Sequence, residues 1–165
     1  QELKTGSVGA ELGVNKGEFS QLLLQTVKPA KLHLIDIWGS DRYNENLYES
    51  VNTKFSGLIS SGQVEIHRKL STEAIADFDD GYFDWVYIDT DHSYQTTFDE
   101  LTGYAPKIKR GGMLMGHDYC MGNWVSQYKY GVMEAVHRFC VEFDFEIIFL
   151  TMELTQSFSL RKIQG

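Results

Sequence analysis

The chain has 165 residues, 42% hydrophobic and 13% aromatic, with only 2 Pro and 2 Cys. That is enough apolar side chain for one compact core, and it is the composition of neither a disordered segment nor a disulfide scaffold. The 23 acidic and 15 basic side chains leave a formal charge of −8, so the mean field repels phosphate backbones and anionic lipid, and neither nucleic acid nor a membrane is an expected partner.

No apolar run reaches the roughly 20 residues a bilayer span takes, and the first residues lack the basic-then-apolar start of a secretory signal. The expected compartment is the cytoplasm, where Cys120 and Cys140 stay free thiols. The sequence begins at Gln1 rather than Met, and a preceding segment is expected. No linker, repeat or low-complexity run divides residues 1–165, which read as a single domain. Short runs rich in Val, Ile, Leu and aromatics at 7–12, 31–37, 64–69, 84–89 and 112–116 read as strands. Between them the spacing turns helical. Phe19, Leu22, Leu23 and Val27 share one face; Leu47, Val51, Phe55, Leu58 and Ile59 another; Tyr94, Phe98 and Leu101 a third; Val132, Val136, Phe139, Cys140 and Phe143 a fourth. Ser71 or Thr72 is placed to cap a shorter helix through Ile75 and Phe78. Strands alternating with helices need right-handed crossovers, which makes a doubly wound α/β fold with a parallel sheet. Two further strand-like runs, 145–150 and 156–161, are separated by a five-residue link, too short for a crossover, and so form an antiparallel C-terminal hairpin.

In such sheets ligands bind beyond the carboxyl ends of the strands. The first strand ends in Glu11-Leu12-Gly13-Val14-Asn15-Lys16-Gly17, a glycine turn into a helix; the spacing is Glu-x-Gly-x-x-x-Gly and not that of a dinucleotide site. Glu11 opposes phosphate and favours an ammonium group, so a zwitterion suits the turn lined by Gly13, Asn15, Lys16 and Gly17; an ordinary strand-to-helix turn is the plainer alternative. Asp36 ends the second strand at the distance expected of a carboxylate that accepts from two ribose hydroxyls, followed by Ile37 and by Trp38, which can stack on a base; alternatively Asp36 caps the loop and Trp38 is core. Leu70 and Ser71, after the third strand, can border a purine. His33, His67 and His137 lie within regular segments and read as structural or exposed rather than as ligands. The fourth strand runs into Asp89-Thr90-Asp91-His92, and the fifth into Gly116-His117-Asp118. Asp89 or Asp91 with His117 and Asp118 forms a set suited to a divalent ion; His92 or His117 can instead act alone as a general base; a structural acid cluster is the third alternative.

Taken in order, these segments resemble the class I S-adenosylmethionine-dependent methyltransferases across nearly the whole chain. Glu11-x-Gly13-x-x-x-Gly17 looks like their first motif, Asp36 like the ribose acid, and Lys107-Ile108-Lys109-Arg110-Gly111-Gly112 like the turn before the fifth strand, with Arg110 where Pro is usual. Ile88-Asp89-x-Asp91-His92-Ser93-Tyr94 and Gly116-His117-Asp118-Tyr119 look most like small-molecule O-methyltransferases of the macrocin and cephalosporin-hydroxylase-like group. The resemblance implies a Rossmann-like, mostly parallel seven-stranded sheet. It also implies S-adenosylmethionine held by Glu11, the glycine turn, Asp36, Ile37, Trp38, Leu70, Ser71 and Asp89, and a hydroxyl acceptor. By the same resemblance Asp89, His117 and Asp118 are the expected ligands of Mg2+ or another divalent ion, although His117 stands where relatives carry an acid. Relatives commonly cover the substrate with an N-terminal helical cap that is nearly absent here. Tyr119, Trp124, Tyr128 and Tyr130 of the following loop, or a second copy of the chain in a homo-oligomer, are expected in its place. Rival readings are a binding protein that keeps the cofactor pocket without turnover, a nicotinamide oxidoreductase, and an aminopropyltransferase using Asp89 and Asp91.

Overall fold

The computed structural model describes residues 3–163; Gln1, where the sequence begins, lies outside them. Strand β1 (Val8–Leu12) leads to α1 (Glu18–Thr26), β2 (Lys31–Asp36) to α2 (Glu45–Ser60), and β3 (Val64–Arg68) to a short α3 (Ser71–Ala74) continued by a 3-10 turn. Strand β4 (Phe83–Ile88), α4 (Tyr94–Tyr104) and β5 (Ile108–Gly116) follow, then a small hairpin of β6 (Gly122–Asn123) and β7 (Tyr128–Lys129). The rest is α5 (Val132–Phe143), β8 (Phe145–Leu150) and β9 (Phe158–Lys162).

The main sheet has seven strands in the order β3-β2-β1-β4-β5-β9-β8. Strands β1 to β5 pair in parallel, and β9 lies antiparallel between β5 and β8. Chain order reverses between β1 and β4, the place where such sheets leave a crevice. Side chains alternate across the sheet. Ala10, Leu12, Ile35, Val86 and Ile88 pack on one face with Leu101, Tyr104, Val136 and Phe139. Leu32, Leu34, Trp85, Tyr87 and Met113 pack on the other with Leu23, Val27, Val51 and Phe55. The expected helical stripes are therefore the inward faces of α1, α2, α4 and α5, except that Leu22 of α1 is half exposed and outside the core.

Register positions the site. Leu12 pairs with Ile35 on one side and Ile88 on the other, and Ile88 pairs with Gly116. Gly13, Asp36, Asp89 and His117 each follow one of these four aligned residues, so they share one edge of the sheet.

Local details follow from residue chemistry. Asn44 caps α2 by accepting from the Leu47 amide, and Ser93 caps α4 by accepting from the Thr96 amide. Gly17 starts α1 at φ 67°, where a β-carbon would come within 2.7 Å of the Phe55 ring, so both conformation and space demand glycine. Two expectations are corrected. The cap residue of α3 is Leu70, and no side chain caps it, because the Ser71 hydroxyl donates to Glu100 instead. The two glycines expected in a turn before the fifth strand lie inside β5, at an irregularity of its pairing with β4; Gly112 there leaves no room for a side chain against the Asp84 carbonyl, 2.6 Å from a built β-carbon. Cys120 and Cys140 are unpaired thiols, and no helix among the described residues is long and apolar enough to cross a membrane.

Phe139, fully buried, stacks on Phe143 and packs at a tilt against Phe145 where α5 meets the sheet. Phe139→Ala should lower unfolding free energy by about 3–5 kcal/mol, read as a reduced urea midpoint with little change in slope.

Candidate active site

The glycine turn and Asp36 are built as one unit. Gly13 sits at φ 85° and donates its amide to Ile35; a β-carbon there would lie 1.9 Å from the Asp89 carbonyl oxygen. One oxygen of Asp36 accepts from the Val14 amide and the other from the Trp38 amide, each at 2.8 Å. A carboxylate has about four acceptor directions, so Asp36 keeps capacity for a ligand's hydroxyls. Burial raises its pKa, opposed by the Trp38, Val14 and Ile37 amides.

Glu11 points from β1 toward α1, where the Ser20 hydroxyl donates to it at 2.5 Å. Burial pushes it up to about 8 against that bond, with the Asp89 and Asp36 charges adding to the rise. A pKa near 8 favours its protonated form at neutral pH. Asn15 and Lys16 are exposed on the turn, and the Lys16 carbonyl accepts from Lys54 at 2.9 Å.

Beyond Asp36, Ile37 and Leu70 expose 46% and 45% of their surface at the ends of β2 and β3, two apolar faces at the same sheet edge. The expected stacking of Trp38 on a base is corrected. At φ 43° its backbone turns the indole inward, and the ring is 1% exposed against Tyr48, with no face left for a ligand. Ile37 is the residue that takes the exposed place. Ser71 is half-buried with its hydroxyl committed to Glu100.

Glu100 itself was not singled out by motif. It is fully buried in α4, accepts from Ser71 and Thr90, and is pushed up to about 7 by burial against those bonds. The legible signal is its spacing with buried Thr97 and Tyr104 at i, i+3 and i+7.

The ends of β4 and β5 face each other. Nε2 of His92 lies 3.1 Å from an oxygen of Asp89 and 2.9 Å from an oxygen of Asp118. His117 Nδ1 is 3.4 Å from the same Asp118 oxygen, and its Nε2 is 3.4 Å from the Thr155 hydroxyl. Burial opposes a charge on His92, but the hydrogen bonds to Asp118 and Asp89 overcome it and push the imidazole up to about 9. Asp118, despite burial, is held well below the usual carboxylate range by His117 and His92, and the same Asp118 contact raises His117. Asp91 stands apart from this cluster: it accepts from the Ser93 amide and the Thr96 hydroxyl, at the start of α4.

Asp89, His117 and Asp118 offer three donor atoms within 4.8 Å of one another. Yet His92 already uses oxygens of both carboxylates, so an ion and a protonated imidazole compete for them. The cluster fits the imidazolium better than a resident hard cation.

Of the expected aromatic loop, Tyr119 is buried and bonded to His137. Tyr130 packs on His92 with ring centroids 4.8 Å apart. Trp124 and Tyr128 stand exposed on the β6–β7 hairpin.

Residues 10–119 match the model of a family described as "Methyltransferase domain". The chain belongs to that methyltransferase family. No curated protein matches it in sequence. A geranyl diphosphate methyltransferase in complex with S-adenosylmethionine superposes at a TM-score of 0.74, with 10% identity, over 98% of this chain and 80% of the other. The geranyl diphosphate C-methyltransferase of Streptomyces coelicolor, in complex with Mg2+, geranyl diphosphate and S-adenosylhomocysteine, gives 0.73 at 9% identity over 97% and 74%. Aeropyrum pernix fibrillarin gives 0.72 at 9% identity over 97% and 68%. These likenesses are of fold. This methyltransferase therefore carries its strand-end residues on the sheet its family uses.

The His92 clamp has a titration consequence. Its folded pKa, near 9, lies above the ordinary 6.5, so the clamp stabilises the fold fully below about pH 6.5 and that contribution is lost as pH rises through 9. Asp118→Asn, which tolerates the left-handed backbone at φ 55°, should lower the His92 pKa in an NMR titration and flatten the loss of stability above neutrality.

Proposed function

We propose that this methyltransferase moves the methyl group of S-adenosylmethionine to a hydroxyl of a small acceptor, with His92 as the proton acceptor. The observation that carries the reading is the clamp of His92 Nε2 between Asp89 and Asp118, beside the cradle formed by the glycine turn and Asp36. The chemistry of the cradle fits the cofactor. Glu11 and the turn from Gly13 to Gly17 receive the methionine end, where a cation restores charge to a carboxyl that burial has neutralised. Asp36 takes the ribose hydroxyls with its spare acceptor directions, and Ile37 and Leu70 cover the faces of the adenine.

When bound there, the cofactor supplies a methyl group already activated on a sulfonium, so the protein's task is alignment and proton removal. Because the two carboxylates hold Nε2–H, the neutral form of His92 carries its lone pair on Nδ1. That nitrogen takes the acceptor's proton, and Asp89 and Asp118 stabilise the imidazolium that results, as the acid of a hydrolase triad does for its histidine. A base of raised pKa suits a weakly acidic hydroxyl. The donors Asp89, His117 and Asp118 retain the chemistry to hold a divalent ion only where His92 yields its place, and no step is derived through one. The exposed Trp124 and Tyr128 on the hairpin, with Met152 and Leu154 on the link before β9, favour an acceptor with a planar or apolar body, or a second copy of the chain over the site.

Four measurements test this. Transfer of labelled methyl to hydroxyl-bearing small molecules should show kcat/KM rising with pH and levelling near 9, because the base must first lose its proton. His92→Ala should lower turnover by about 100-fold or more while S-adenosylhomocysteine affinity is kept. Asp36→Asn should do the reverse, weakening that affinity by about 1–3 kcal/mol through loss of a buried acceptor. Activity that vanishes with EDTA and returns with Mg2+ would remove His92 from the role of base and give Asp89, His117 and Asp118 to the ion.

A further inference from the structure

A second group of ligating side chains lies away from these strand ends, at the β3 edge of the sheet. His33 on β2 and Glu65 on β3 are register partners, and His67 is two residues further along β3, so all three project from the same face. Nδ1 of His33 is 2.9 Å from Nε2 of His67. That Nε2 is 3.6 Å from a Glu65 oxygen, and all three donor atoms fall within 4.8 Å. Bonds of about 2.0–2.2 Å to one ion place neighbouring donors about 3–3.5 Å apart, so the set needs only a small rotation of the half-exposed Glu65.

Two of the three side chains also have outer partners. The far nitrogen of His33 meets the Tyr82 hydroxyl at 3.0 Å, and the second oxygen of Glu65 is held by Lys31 at 2.6 Å; the Asp77 oxygen nearest the far nitrogen of His67 lies 3.9 Å away and is bonded to Lys69. Ligating histidines are regularly oriented in this way through the ring nitrogen the ion does not use. His33 is buried and His67 half-buried on this face. They open on a groove of about 360 Å³, which leaves room for water or an exogenous ligand on the ion.

We propose that His33, His67 and Glu65 form a binding site for a borderline divalent transition ion, of the Zn2+ or Co2+ kind, independent of the cofactor cradle. Two imidazoles and one carboxylate on adjacent strands leave further coordination positions open, which suits such ions better than Mg2+ or Ca2+.

Titration of the whole chain with Co2+, followed by visible d–d absorption and by competition with Zn2+, tests it. A one-to-one band should appear in the wild type and persist in Asp118→Asn. It should weaken by about 100-fold or more in affinity in Glu65→Gln and His67→Gln, as expected when a direct ligand is removed. Glu65 is exposed enough that its variant keeps the fold, which an unchanged S-adenosylhomocysteine affinity would verify. Zn2+ should raise the thermal midpoint of the wild type and not of Glu65→Gln. No band in the wild type, a band indifferent to Glu65→Gln and His67→Gln, or one lost in Asp118→Asn instead would overturn the proposal.

Discussion

Aligning β1, β2, β4 and β5 at their carboxyl ends crowds Glu11, Asp36, Asp89 and Asp118 along one edge, with Glu100 behind them. Two unit charges 4 Å apart repel by about 4 kcal/mol at the effective dielectric of a protein surface, so each acid needs its own relief. Asp36 has backbone amides on both oxygens. Burial raises the pKa of Glu11 to about 8 and of Glu100 to about 7, so both bind protons far more readily than an exposed carboxylate. Asp89 and Asp118 share His92. The modes differ because the surroundings do: amides are free where a strand opens into a turn, whereas the carboxyls of Glu11 and Glu100, packed inside, are met by side-chain hydroxyls.

The backbone bears part of the same load. Trp38, His92 and Asp118 all adopt positive φ at the ends of β2, β4 and β5, conformations that cost of order 1–3 kcal/mol each for residues other than glycine. Each is held by a bond that the strained geometry makes possible. The Trp38 amide reaches Asp36, the His92 carbonyl receives the Gly131 amide, and the Asp118 carboxylate meets two imidazoles. Side chains therefore leave the strand axis at an angle that alternation alone does not describe. Trp38 goes into the core and His92 swings across to β5.

That geometry marks where the sequence is legible. The strands, the helical stripes and the antiparallel end of the sheet can be read from period and punctuation, since each reflects a face that must be buried. The strand ends can be read as well, and Glu11, Asp36, Asp89 and His117 do share an edge. What escapes is contact between elements distant in the chain. His92 and Asp118 meet over 26 positions of sequence, and His33 and His67 over 34. Nothing local in the sequence shows that β2 and β3 set those two histidines face to face. Trp38 escapes for a local reason, because no composition rule places an indole at positive φ.

The two histidine clusters show how much the surroundings decide. His33 and His67 face each other under burial, and both are driven toward the neutral form; His92 is also substantially buried, yet two carboxylates reverse the sign and keep it charged at neutral pH. A neutral pair of imidazoles offers lone pairs, which is a ligand's chemistry. A charged imidazole fixed by acids offers a proton-transfer site whose basicity is set by its partners. In the second cluster the carboxylates raise the basicity of His92, and in the first Nδ1 of His33 and Nε2 of His67 hydrogen-bond each other. The same residue type, carried on one sheet, is thereby driven toward opposite charge states.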